Sequence, residues 1–251
     1  MALTDNLLAH WKLNEASGTR ADSVNSYTLA EDWDTIGSTA GVIGDAVHMV
    51  SADSYYLGLV ITPSTFAPET AYTATAWVRI TSTYAAGDWM RAFGIVDLDN
   101  GRSPVSLEID YITDGAYAYV YSNLSDESAV EKQHTTLLSK DVWYFLAVRW
   151  TGSKLGVSVN GGAFQEADQA SLWQPGSYGA NNVAQLGYRN ATSRTHDVDS
   201  VSYWRNRALS ESEINQLYNG GAGLDYPFLP STVPIECVLA DDLNRIIVQE
   251  A

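Results

Sequence analysis

The fold is decided by residues 197–221, which read DVDSVSYWRNRALSESEINQLYNGG. In the first half of this stretch, apolar and polar residues alternate with a period of two, a pattern typical of a half-buried β-strand. We therefore expect a strand in which Val201 and Tyr203 face a core behind Asp199. The same alternation predicts that Val198 faces the other way.

The second half of the stretch carries the signals of a short, well-capped helix. Ser210 is a good N-cap, and Glu213, three residues later, completes a capping box. Leu209 and Ile214 are placed to form a hydrophobic staple around the cap, and the Asn-Gly pair at residues 219–220 supplies a left-handed stop. The sequence thus predicts one helix near its end, in a chain otherwise made of strands.

The composition indicates a β-rich globular domain and argues against one class of partner. A chain of 251 residues is long enough for one large β-sandwich, and its 8 Trp and 15 Tyr suit the half-buried faces of sheets. The formal net charge is −16, with 30 acidic against 14 basic side chains. Because this charge repels nucleic acid, we expect no nucleic-acid partner.

The sequence also gives no sign of a disulfide, a zinc site or a membrane span. Cys237 is the only cysteine, which leaves neither an internal disulfide nor a thiolate zinc site. The four histidines are scattered, with no two at metal-ligand spacing. No stretch approaches the roughly 20 apolar residues of a membrane span, so we expect no membrane insertion.

A row of tyrosines is the first candidate for binding. Residues 116–122 read AYAYVYS and place Tyr117, Tyr119 and Tyr121 on one face of a strand. An aromatic ring with a hydroxyl is both apolar and able to hydrogen-bond, so such a face can stack on sugars. The alternative is cross-strand packing or a subunit contact, and the frequency of tyrosine in sheets favours that alternative.

Several other segments follow one another in a characteristic order. They are LLAHWKLNEASGTRADSVNSYTL at 7–29, IGDAVHM at 43–49, TATAWVRI at 73–80, VWYFLAVRWTGSKLGVSVNGG at 142–162 and VAQLGYRN at 183–190. Together with the closing segment 198–218, they resemble the laminin-G-like, concanavalin-A-like lectin/glucanase superfamily over about residues 7–228. The resemblance implies an all-β fold, a two-sheet antiparallel jelly-roll β-sandwich over residues 1–228 with one short C-terminal helix. It does not imply one activity, because a shared fold hosts many functions.

The resemblance adds one residue to the tyrosine face. Strand 73–80 places Trp77 away from the core, and in this fold we expect Trp77 on the same face as the tyrosines. The candidate glycan-binding residues are therefore Trp77, Tyr117, Tyr119 and Tyr121.

The resemblance also implies a structural calcium ion. Asp22 and Asn25 lie in a polar loop that matches the family's opening loop, and Asp199 lies in the matching closing strand. Carboxylate and carbonyl oxygens are the hard ligands that Ca²⁺ takes. The alternative is an ordinary Asp-Ser turn, and both interpretations stay open at this point.

A glucanase site is not expected. Residues 106–114, SLEIDYITD, place Glu108 and Asp110 in a pattern similar to the Glu-x-Asp-x-x-Glu signature of retaining glucanases on this fold. Those enzymes need two carboxyl groups about 5–5.5 Å apart. Thr113 stands where the acid/base carboxyl would be, and Asp114 comes one residue too late. We therefore predict no catalytic residues.

The sequence thus predicts a non-catalytic structural, decoration or adhesion protein that binds a glycan or a virion protein partner. Residues 1–12 lack the basic start and apolar run of a signal peptide, so we expect a virion protein of bacteriophage type, made in the host cytoplasm. The alternative is an extracellular carbohydrate-binding module of a secreted polysaccharide-degrading enzyme. Residues 229–251 form a C-terminal extension with apolar clusters, which we expect to dock on a neighbour or to make a homo-oligomer. The alternative is a strap on its own domain, and the linker-like prolines favour the neighbour.

Overall fold

The computed structural model describes most of the chain. The described ranges are 1–32, 35–50, 56–112, 115–123, 128–172, 179–187, 195–229, 239–240 and 246–247. Thr113 and Asp114, which bear on the acid/base position, and most of the C-terminal extension lie outside these ranges. The predicted division at residue 228 stays a prediction.

Two antiparallel sheets account for nearly all strands of the described residues. The eight-stranded sheet contains β1 (Leu7–Trp11), β3 (Gly37–Ala40), β4 (Asp45–Met49), β6 (Tyr72–Ile80), β11 (Trp143–Trp150), β12 (Lys154–Val159), β13 (Gln165–Asp168) and β15 (His196–Arg205). The seven-stranded sheet contains β2 (Ala30–Asp32), β5 (Tyr56–Val60), β7 (Trp89–Asp97), β8 (Arg102–Ile112), β9 (Gly115–Asn123), β10 (Ala129–Leu138) and β14 (Asn182–Gly187). The predicted jelly-roll β-sandwich is confirmed.

The strand order brings distant parts of the chain together. The larger sheet runs β13-β12-β11-β6-β15-β4-β3, with β1 also paired to β15, and the smaller runs β10-β9-β8-β7-β14-β5-β2. Two helices accompany them, α1 (Pro63–Phe66) and α2 (Glu211–Tyr218), the latter followed by a 3-10 turn at Asn219–Gly221. A separate two-stranded pair joins β16 (Leu239–Ala240) to β17 (Ile246–Ile247). Neither helix among the described residues has the length and apolar character to cross a membrane.

The core lies between the facing sides of the two sheets. Strand β6 contributes the alternate residues Ala74, Ala76 and Val78, as its period of two predicts. Strand β9 contributes Ala118 and Val120 from the opposite sheet. Small and branched side chains on both inner faces allow the sheets to approach and to exclude water, which is the main favourable contribution to folding.

A β-bulge changes the expected alternation in β15. Val201 and Tyr203 are fully buried in the core, as predicted, but Val198 lies in the same core. The register shifts between Asp199 and Ser202, and Ser200 has a positive φ of 49°. Two residues of β15 therefore stand opposite one residue of β6, and the extra residue returns Val198 to the inner face.

Helix α2 covers the outer face of the eight-stranded sheet. A second cluster of buried side chains joins the helix, the sheet and the end of the domain, including Trp77, Phe145, Trp204, Ile214 and Phe228. The helix is held by the predicted capping box: Ser210 Oγ accepts from the backbone N–H of Glu213, whose carboxylate accepts from the N–H of Ser210. Asn219 ends the helix in the left-handed conformation.

We predict that the capping box contributes measurably to stability. Ser210→Ala should lower the free energy of unfolding by about 1 kcal/mol, because it leaves an N-terminal amide without its partner. Ser210→Gly is the matched control and should cost only a few tenths of a kcal/mol. Urea denaturation followed by tryptophan fluorescence measures both, and equal losses for the two variants would contradict the capping role.

Candidate functional site

The predicted tyrosine row lies on the outer face of the seven-stranded sheet. In β9 the residues Ala118 and Val120 are fully buried in the core. Tyr117, Tyr119 and Tyr121 alternate with them and are only partly buried. The predicted separation of the two faces is therefore confirmed, and the tyrosine side chains point away from the sandwich interior.

Neighbouring strands bring charged and aromatic side chains into line with this row. In one row, Arg91 of β7 pairs with Glu108 of β8, which in turn pairs with Tyr119 of β9. In the next row, Trp89 pairs with Asp110, which pairs with Tyr117. Because paired residues of an antiparallel sheet share a face, these side chains are neighbours on the outer surface.

A cavity of about 340 Å³ opens on this face. It is lined by aromatic, charged and small residues from β7, β8, β9 and the turn before β8, namely Trp89, Arg91, Gly101, Ser103, Glu108, Asp110, Tyr119 and Tyr121. We call this cavity the outer groove. Its volume is within the range of small-molecule sites in proteins.

An ion pair fixes the floor of the outer groove. Arg91 donates from Nε and Nη2 to Glu108 Oε1 at 2.9 and 2.7 Å, and Nη2 also reaches Ser103 Oγ at 3.4 Å. Arg91 and Glu108 are only 4% and 7% exposed. The guanidinium carbon lies 5.5 Å from the ring centroid of Trp89, within cation–π range. These contacts hold both charges in fixed positions.

Two further polar groups of the groove, the carboxyl of Asp110 and the hydroxyl of Tyr119, have pKa values above their usual range. Burial, together with the carboxylates of Glu108 and Glu131, raises the pKa of Asp110. Burial also raises the pKa of Tyr119, whose hydroxyl donates to Glu131 Oε2. The hydroxyl of Tyr121 accepts a 3.2 Å hydrogen bond from Asn123 Nδ2. The groove thus combines aromatic walls with oriented hydrogen-bonding groups.

The structure brings together only part of the predicted binding set. Tyr119 and Tyr121 line the outer groove, while Tyr117 shares their face but is not among the lining residues. The placement of Trp77 was wrong: it lies on β6 in the other sheet and is 3% exposed. Its ring packs against Phe145 and Tyr218, at centroid distances of 5.3 and 5.7 Å. Trp77 points outward, as predicted, but helix α2 covers that outward face.

Sequence reasoning missed Trp89 and Arg91 as groove residues. Both residues lie on β7, which begins at Trp89. A signal was present, because Trp89 and Arg91 are two residues apart and so share a face of any strand that contains both. What the sequence lacked was the register that sets them opposite Asp110 and Glu108.

The carboxylate of Asp22 organises a loop. It accepts backbone N–H bonds from His10 (2.9 Å), Val24 (3.0 Å), Asn25 (2.9 Å) and Tyr27 (3.3 Å). Asn25 also donates from Nδ2 to the carbonyl of Leu8 at 2.7 Å. Four amide donors use the acceptor sites that a calcium ligand would need free, an arrangement that fits a loop brace better than an ion site.

Asp199 is a buried brace for a different loop. Its Oδ2 accepts from the backbone N–H groups of Val42 and Ile43 at 2.7 and 2.8 Å. A Cβ added to Gly41 would stand 2.5 Å from this oxygen, so the close approach requires glycine. Burial raises the pKa of Asp199 to about 7. The backbone amides that bond Asp22 differ from those that bond Asp199, so the two carboxylates brace separate loops. The described part of the chain contains no cluster of three His, Cys, Asp or Glu residues suited to a metal. Calcium stays a prediction from the resemblance.

Fold and groove together define a lectin-like β-sandwich with an open, aromatic-walled outer site. A family model described as "Concanavalin A-like lectin/glucanases superfamily" (laminin G type 3) matches residues 51–215. The chain therefore belongs to this family. No curated protein sequence matches the chain.

Solved structures with the same fold are distant in sequence. The binding domain of Paraclostridial Mosquitocidal Protein 1 superposes with a TM-score of 0.65 at 15% identity, over 87% of this chain and 53% of that one. The receptor binding domain of botulinum neurotoxin mosaic serotype C/D gives 0.65 at 12% identity, over 87% and 52%. A Trypanosoma rangeli sialidase in complex with sialic acid gives 0.61 at 14% identity, over 88% and 34%. The chain spans about half the length of the toxin domains that it matches, and at these identities the likeness shows the fold alone.

We predict that Asp199 makes stability fall as the pH rises. Its carboxyl binds a proton more tightly in the folded protein (pKa about 7) than at its ordinary value of 3.8, so the folded state loses stability between those two values. Asp199→Asn keeps an acceptor for the two amides but has no proton to lose. Between pH 5 and pH 8, the wild type should therefore lose on the order of 2–3 kcal/mol relative to this variant, at roughly 1.4 kcal/mol per pH unit.

Urea unfolding of both proteins at the two pH values provides the measurement, repeated with added calcium and with chelator. A difference that does not change with pH would contradict the buried-carboxyl interpretation. Stabilisation of the wild type by calcium, lost in Asp199→Asn, would instead support the predicted calcium site.

Proposed function

We propose that this protein is a non-catalytic glycan-binding domain and that the outer groove is its binding site. The observation that carries the proposal is the combination of Trp89, Tyr119 and Tyr121 around a fixed Arg91–Glu108 pair in one open cavity. The family contains lectins and glucanases by its description, and fold alone does not choose between them. The groove chemistry supports binding.

A sugar ring matches this chemistry because its face is apolar and its edge is polar. One face of the ring carries C–H groups that pack on an aromatic side chain, while the hydroxyls at the edge need paired donors and acceptors. Trp89 and Tyr121 supply aromatic surface on β7 and β9. Glu108 and Asp110 supply acceptors between them. All four lie on strands, which hold binding groups more rigidly than loops do.

Glu108 is unsuited to act as a catalytic nucleophile. Both bonding nitrogens of Arg91 are directed at its Oε1 atom, and this ion pair stabilises the negative charge that the carboxylate would lose on forming a bond to a sugar. A retaining glycosidase needs a second carboxyl group at about 5–5.5 Å as acid/base. Asp110 shares the groove and has a raised pKa, which is the observation that keeps a glucanase as the second candidate.

We predict that single substitutions in the groove reduce glycan binding. A glycan array probed with the full chain, with calcium and then with chelator, identifies a ligand first. Trp89→Ala and Tyr121→Ala should each weaken its binding about tenfold, because an aromatic contact is worth roughly 1.4 kcal/mol. Tyr117→Ala is the matched control, since Tyr117 lies on the same strand face outside the cavity lining, and it should keep most of the affinity.

Equal losses of affinity in all three variants would mean that the binding surface is the whole tyrosine row rather than the outer groove. The proposed function would be contradicted if the full chain, shown to be folded by cooperative thermal unfolding, bound no glycan with calcium or with chelator.

We predict that the protein does not hydrolyse β-glucans. Reducing-sugar release from a mixed-linkage β-glucan should stay at the level of the blank for the parent protein and for Glu108→Gln alike. Turnover by the parent that disappears in Glu108→Gln, while both proteins remain folded, would establish the glucanase instead.

The proposed place of action is a virion, with the secreted carbohydrate-binding module as the alternative. The apolar clusters in residues 232–251 support docking of this segment on a partner protein or a second copy. Deletion of residues 232–251 should weaken particle association and leave the sandwich folded, as followed by sedimentation with purified particles and by thermal unfolding. Detection of the native protein only in soluble cell extract, with none in purified particles, would remove the virion proposal.

A further inference from the structure

The outer groove is acidic in spite of its buried arginine. Glu108 and Asp110 line it, and Glu131 accepts a hydrogen bond from the hydroxyl of the lining residue Tyr119. Among the described lining residues, Arg91 is the one cationic side chain, against the two carboxyl groups of Glu108 and Asp110. The net charge of the site is therefore negative whenever the carboxyl groups are ionised.

Two of the three guanidinium nitrogens of Arg91 are directed at Glu108 rather than at a ligand. A guanidinium binds a carboxylate best through two parallel N–H groups, and the Nε and Nη2 groups of Arg91 are already directed at Glu108 Oε1, at 2.9 and 2.7 Å. The pair is almost completely buried. To use these two N–H groups, a carboxylate on a sugar would have to displace Glu108 and leave that charge without its partner, which is strongly unfavourable in a buried site.

The other two carboxyl groups oppose an anion directly. Burial, and after it the neighbouring charges of Glu108 and Glu131, raise the pKa of Asp110. A further anion would increase the repulsion, and like charges brought together at an interface weaken binding severely. The formal charge of −16 on the whole chain acts in the same direction at longer range.

We infer that the outer groove selects uncharged or basic sugars and excludes sugars that carry a carboxylate, such as sialic and uronic acids. This inference rests on the proposed glycan-binding function and adds the chemical class of the ligand. It separates this chain from the Trypanosoma rangeli sialidase that shares its fold and was solved with sialic acid. Hydroxyl and amino groups can donate to Glu108 and Asp110, whereas a sugar carboxylate can only accept.

The test uses matched oligosaccharide probes that differ in charge. Binding of the full chain is measured for N-acetyllactosamine and its sialylated form, for methyl-esterified oligogalacturonates and their free acids, and for N-acetylglucosamine oligomers and their deacetylated form. At low salt, each acidic probe should bind at least about tenfold more weakly than its uncharged partner. The deacetylated probe should bind as well as its acetylated form or better.

Two variants test whether the groove carboxylates cause the selectivity. Glu131→Gln keeps an acceptor for Tyr119, and Asp110→Asn keeps the size of the side chain. Each should reduce the preference for the uncharged probe by about threefold or more. Asp168→Asn is the matched control, because it changes the net charge equally on an exposed residue of the other sheet, and it should leave the preference unchanged. High salt should also narrow the preference in the wild type.

The outcomes distinguish the two proposals. Acidic probes that bind as tightly as their uncharged partners would overturn the charge selection and leave the glycan-binding function standing. A preference that responds to Asp168→Asn as strongly as to Glu131→Gln would also overturn it, because the cause would then be the overall charge. Absence of binding to every probe would overturn the proposed function itself, and the inference with it.

Discussion

A β-sheet has two faces, and the need to cover or hydrate each of them determines the organisation of this molecule. The inner faces of the two sheets share one core, in which Val120 from one sheet and Tyr203 from the other are fully buried. The outer face of the eight-stranded sheet is covered by a second cluster that includes Trp204 and helix α2. The outer face of the seven-stranded sheet carries the outer groove, which polar and aromatic side chains line.

The groove on that face depends on a buried ion pair. Removing Arg91 and Glu108 from water is costly, and their mutual attraction compensates only when the geometry is good. Two short bonds to one carboxylate oxygen and the nearby ring of Trp89 supply that geometry. A buried ion pair is weak evidence for stability, but this pair holds two opposite charges at fixed positions in the cavity. A site with preoriented groups loses less entropy when a ligand binds.

Local sequence patterns predicted the elements but not their neighbours. Helix α2 was predictable with both ends because its caps are chemical signals within a few residues, from Ser210 to Asn219. Trp77 was assigned to the correct face of its strand and to the wrong sheet, because strand pairing is decided between residues far apart in sequence. The bulge at Ser200 returns Val198 to the core, and the alternation of apolar and polar residues does not predict where such a bulge occurs. The groove is formed by three paired strands, and local sequence patterns do not predict the register in which these strands pair.

The acidic composition has several distinct uses, and the donor beside each carboxyl group decides which. Asp22 faces four backbone amides and braces a loop. Glu108 faces a guanidinium and becomes part of a fixed pair. Asp110 has other carboxylates as charged neighbours, which together with burial raise its pKa. Asp22 is thus used by the structure alone, whereas Glu108 and Asp110 both line the outer groove. The role of each carboxyl group is set by the donor that the fold places beside it.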